Sequence, residues 1–97
     1  MAKPQDQITK ILNERQLTHG DYLSKCTFIQ VVKEDMRNEN GNWHRLDSDM
    51  QESLDMAIHK IGRIIYGDPY HTDNWIDIAG YIMLVANRLQ LEEKINE

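Results

Sequence analysis

Apolar residues recur at helical spacing along nearly the whole chain and resolve it into four segments. Ile8, Ile11 and Leu12 mark a short first helix over residues 4–16, with Pro4 suited to its first turn. Thr18-His19-Gly20-Asp21 interrupts it, because Gly20 can close one helix and Asp21 can cap the next. A second helix from about Tyr22 to Arg37 sets Tyr22, Cys26, Ile29, Val32 and Met36 on one side. Its centre, Thr27-Phe28-Ile29-Gln30-Val31-Val32, has strand propensity, but the flanking spacing favours helix. Asn38-Glu39-Asn40-Gly41-Asn42 is a loop by its turn chemistry. A third helix starts near Ser48, with Gln51 as a capping-box partner, and stops at Gly67-Asp68-Pro69. Met50, Leu54, Ala57, Ile58, Ile61, Ile64 and Ile65 share one of its faces. Glu52, Asp55, His59, Arg63 and Tyr66 line another, with Lys60 at the opposite margin of the apolar face. The fourth helix begins after Thr72 or Asp73 and runs to about Leu91.

The apolar arc of this fourth helix is broad: Trp75, Ile78, Ala79, Ile82, Val85, Ala86 and Leu89, with Ile76 and Met83 beside it. An arc covering about half the circumference predicts neighbours on at least two sides. One polar stripe remains, made by Asn74, Asp77, Tyr81 and Arg88. The expected fold is therefore all-α: a single four-helix domain over residues 1–97, built on an antiparallel hairpin of helices 48–66 and 73–91. A chain of 97 residues leaves apolar surface to spare, and a homodimer is one way to cover it.

Composition narrows the class. Apolar residues at 40% and charged ones at 28% suit a globular chain. A net charge of -5 argues against general binding of nucleic acid and suits a protein partner with a basic surface. Cys26 is the only cysteine, so no intrachain disulfide forms and a reducing compartment is expected. The opening MAKPQDQITK has no apolar core of signal-peptide length, and Trp75–Leu89 carries Asp77, Asn87 and Arg88, which excludes a membrane span there. A cytoplasmic protein is expected.

The candidate chemistry lies on the hairpin. Counting outward from the turn puts Asp77 near the level of Arg63, so Lys60, Arg63, Asp73 and Asp77 are candidates for structural ion pairs across it. The same region offers an anion or nucleotide site made from His59, Lys60, Arg63, His71, Asn74 and Tyr81 around the start of the fourth helix. Glu52 and Asp55, spaced E-x-x-D, join Asp77 as candidate metal ligands. Within one hairpin, however, Asp55 and Asp77 are offset by roughly 12 Å along the axes at the helical rise. A dimer partner would have to supply missing ligands, and an Asp55–His59 contact on a solvated face explains the spacing more economically. The scattered His19, His44, His59 and His71 form no metal signature, and no phosphate-binding glycine loop is present.

Glu14-Arg15 with Thr18-His19-Gly20-Asp21, the run Leu54–Arg63, Gly67-Asp68-Pro69 and Asp73-Asn74-Trp75-Ile76-Asp77-Ile78-Ala79-Gly80-Tyr81 resemble a family of small phage and prophage proteins of unknown function. That family carries E-R-x-x-T-H-G-D near its start and K-x-x-R followed by D-x-W-x-D-I-A-G-Y near its end. The resemblance implies a phage origin and the cytoplasm of a host cell. More distantly, Asn74-Trp75-Ile76-Asp77-Ile78 is similar to the last acidic motif of the MazG-like, all-helical nucleotide pyrophosphohydrolases. That likeness implies magnesium and a nucleoside triphosphate. Only Asp77 carries over, since Asn74 stands where the first acid belongs, and Lys60 and Arg63 stand where the earlier acids are expected. Two functions follow. The first is a non-enzymatic phage accessory protein, without a cofactor, that binds or inhibits a host or phage protein. The alternative is a magnesium-dependent pyrophosphohydrolase or a nucleotide-binding relative.

Overall fold

The computed structural model describes residues 4–19 and 21–96, and side chains for 4–14 and 21–96. Four helices follow one another, α1 (Pro4–His19), α2 (Tyr22–Met36), α3 (Ser48–Tyr66) and α4 (Thr72–Asn96), with a 3₁₀ turn at Trp43–Arg45 before α3. The fold is all-α, with no strand among the described residues. The strand propensity of Thr27–Val32 is thus overridden by the helical spacing around it.

Asp21 caps α2 as expected, accepting a hydrogen bond from the Ser24 amide through its carboxylate. The Ser24 donors hold that carboxylate below its ordinary range. The proposed stop at Gly20 lies outside the described residues. α1 runs three residues past the predicted end at residue 16, and no glycine or proline follows Pro4 before Gly20 to break it. α4 likewise continues beyond Leu91 to Asn96, with Arg88 and Glu92 paired one turn apart at 2.8 Å. Gln51 does not close a capping box. Asp47 is the N-cap of α3, and the Gln51 amide donates instead to the Trp43 carbonyl at 2.9 Å, fastening the 3₁₀ turn to the helix.

α3 is the centre, flanked by α2 on one side and α4 on the other, with α1 making a lighter contact. Among apolar described residues only Ile29, Trp43 and Ala57 are buried. Ile29 rather than Tyr22 anchors α2, since Tyr22 is turned outward and largely exposed. Ile29 meets α3 at Gly62, where an added Cβ would lie 3.0 Å from the Ile29 side chain and 3.1 Å from Lys25 Cγ. The two helices approach closely because residue 62 has no side chain. Gly80, on α4, faces open space, with nothing within 4 Å of such a Cβ.

These two glycines separate two effects. Gly80→Ala is expected to raise folding stability by about 0.5–1 kcal/mol, since only helix propensity changes. Gly62→Ala is expected to lower it, because overpacking against the buried Ile29 costs about 1–3 kcal/mol and outweighs that propensity. Urea titration of the two variants checks both signs.

Candidate functional site

α4 meets α3 through its polar stripe. Lys60 Nζ pairs with Asp77 Oδ2 at 2.9 Å, and Arg88 grips the start of α3 with three hydrogen bonds: Nε to Asp49 at 2.6 Å, Nη2 to Asp49 at 2.7 Å and Nη2 to Asp47 at 2.9 Å. The two clamps are eleven residues apart on each helix, about three turns, and therefore act in one antiparallel register. Arg88 holds the Asp49 carboxyl below its ordinary range, and the surrounding carboxylates raise the Arg88 guanidinium in turn. Asn74, one turn before the first clamp, is 2% exposed and its Nδ2 has no hydrogen-bond partner among the described residues, while Tyr81, between the clamps, is half-buried on the same stripe.

The seam between α2 and α3 is polar as well. Arg37 Nη2 bonds both oxygens of Asp55 at 2.9 Å, and its guanidinium lies 4.3 Å from the centre of the Trp43 ring. One turn along, Lys33 Nζ lies 3.1 Å from His59 Nε2, so the ammonium donates to a neutral imidazole. Burial, followed by the charge of Lys33, pushes the His59 imidazole below its ordinary range; Arg63 and Lys25 add to this and Asp55 opposes it. Lys25 is pushed down by burial and by Arg63, and its ammonium sits 5.1 Å above the Tyr22 ring.

The sequence-predicted residues therefore divide among separate places. Of the ion-pair candidates, Lys60 and Asp77 meet; Arg63 turns toward the α2 side, and the exposed Asp73 has only His71, 4.0 Å away. The anion candidates do not converge. His59 and Arg63 lie toward α2, Lys60 and Asn74 toward α4, and His71 in the connecting turn. The metal candidates are dispersed too: Asp55 is held by Arg37, Asp77 by Lys60, and Glu52 is exposed. Among the described residues no three acids, histidines or cysteines come together to hold a metal ion. A magnesium site does not fit these side chains within one chain, because cations of the protein already occupy the carboxylates. The Asp47–Asp49–Glu92 cluster, which the sequence did not single out, is likewise filled by Arg88.

The consequence of the polar seams lies on the far side of α4. Of its apolar arc, predicted to be wrapped on two sides, Ile78, Val85 and Ala86 are half-buried, while one flank faces outward: Trp75 is 55% exposed, Ile76 60%, Ile82 42% and Met83 52%. The Trp75 indole still donates to the Pro69 carbonyl at 2.8 Å, so the ring is held in place without being covered. No helix among the described residues is long and apolar enough to cross a membrane. Comparison with known proteins found no matching family model, no matching curated protein and no matching solved structure.

Acidification tests the α2–α3 seam. Above the ordinary histidine value of 6.5, His59 is neutral both folded and unfolded; as pH falls through that value the unfolded chain takes up the proton first. Folding stability is expected to decline as the pH falls below that point, and His59→Gln to lessen the decline. Urea midpoints measured on either side of it give the comparison.

Proposed function

We propose that the chain is a non-enzymatic binding protein, an accessory protein of the phage kind its sequence resembles, and that it acts by holding another polypeptide against the apolar face of α4. The observation that carries this reading is the outward-facing arc. Trp75, Ile76, Ile82 and Met83 form one contiguous apolar surface on a helix whose polar stripe is turned inward. Large exposed apolar patches on otherwise polar surfaces mark sites of association. The remaining acids and bases support the same reading, since Asp55, Asp77, Asp49 and Arg88 serve the internal seams.

A photoreactive benzoyl-phenylalanine placed at Met83 in the expressing cell is expected to give a covalent adduct with a polypeptide. The same group at Asn40, in the exposed loop, serves as the control. No polypeptide adduct at position 83, or equal adducts from both positions, would contradict the reading.

A further inference from the structure

The spacing within the exposed arc specifies what covers it. Trp75, Ala79, Ile82, Ala86 and Leu89 follow one another at alternating intervals of four and three residues, the repeat of a helix-pairing seam. The large residues occupy one heptad position and the two alanines the other. Alternation of bulky and small side chains lets a second helix approach closely, each large residue seating over an alanine-lined hole. Ile76 and Met83 widen the seam along one edge. No charged residue falls on it between Trp75 and Leu89, because Asp77 and Arg88 are turned to α3; it ends at Glu93, the next heptad position.

Area allows an occupant of interface size. A compact protein of 11.4 kDa exposes about 5,800 Å², whereas this chain exposes 7637 Å². Its radius of gyration is 17.6 Å, against about 12.5 Å for a compact chain of this length. The difference of roughly 1,800 Å², to which exposed apolar residues of α1 and α2 contribute as well as those of α4, leaves room for the ~800 Å² that each partner contributes to a standard interface. The seam is long and uncharged, and large and small positions alternate along it, so it complements its own copy under two-fold symmetry.

Resting on the binding reading above, we infer that the α4 seam is occupied by the α4 seam of a second copy of this chain. The homodimer is an intermolecular helix pair in which Trp75, Ile82 and Leu89 of each copy pack on Ala79 and Ala86 of the other. The overall charge of -5 per chain does not oppose this, since the acids of α4 lie away from the seam or at its end.

Sedimentation equilibrium of the purified chain tests the proposal. The wild type is expected at twice 11.4 kDa and Ile82→Glu at the single-chain mass with its helical circular dichroism retained, because Ile82 is exposed within one copy. Ala79→Glu, at a second exposed seam position, is expected to do the same, while Val31→Glu on the outer face of α2 keeps the doubled mass. A wild type of single-chain mass, any mass other than double, or a doubled mass retained by both seam variants would overturn the proposal. So would loss of the dimer in Val31→Glu. The adduct at position 83 separates this inference from the reading it rests on. A single-chain mass with an adduct to a different polypeptide overturns the second copy and leaves the binding surface standing, whereas no adduct at all removes both.

Discussion

The rotation of α4 about its own axis is the constraint on which the rest of the structure depends. Two ion clamps, Lys60 with Asp77 and Arg88 with Asp47 and Asp49, draw one stripe of α4 onto α3 and hold it in a single register. Ionisable side chains are ordinarily left outward. Here the helix turns them inward beside the half-buried Ile78 and Val85, and Trp75, Ile76, Ile82 and Met83 are presented to the surroundings. The same habit recurs on α2, whose inward face carries Lys25 and Lys33 alongside Ile29, with Arg37 at its C-cap.

Polar seams of this kind specify geometry better than they stabilise it. A partly exposed ion pair contributes about 0–1 kcal/mol, and an orphaned amide such as Asn74 Nδ2 costs free energy. With three buried apolar residues described, the single chain has a small hydrophobic driving force. A domain under about 100 residues in this position gains most by burying apolar surface against another chain. The internal clamps and the external seam are thus complementary: the first fix the direction of α4, and the second, in the proposed dimer, would add the apolar burial.

Helices, their order and the Asp21 cap were legible because local spacing and capping chemistry are written in consecutive residues. Pairing across α3 and α4 was legible to within one turn. Counting from Gly67 placed Asp77 near Arg63, and the structure chose Lys60, the alternative on the same helix. What periodicity could not deliver was the direction of the faces. A broad apolar arc and a narrow polar stripe say that a helix is two-sided, and convention puts the arc inside. Only the long-range partners of Asp77 and Arg88, twelve or more residues away in sequence, show that the stripe is the inner side. Arg37, which joins Asp55 to Trp43, was out of reach for the same reason, and that pairing removes Asp55 from any metal set.

The inward turn of the α4 stripe rests on Asp77 lying against Lys60, since an α4 that buried its apolar arc would carry Asp77 away by about half a turn. A double-mutant cycle of Lys60→Met and Asp77→Leu, read by urea unfolding at one protein concentration, measures that contact directly. Because Lys60 is largely buried beside Asp77, the predicted result is a coupling of about 0.5–1 kcal/mol between the two positions. Effects that add to within about 0.3 kcal/mol would contradict it, and with it the outward face on which the proposed binding surface stands.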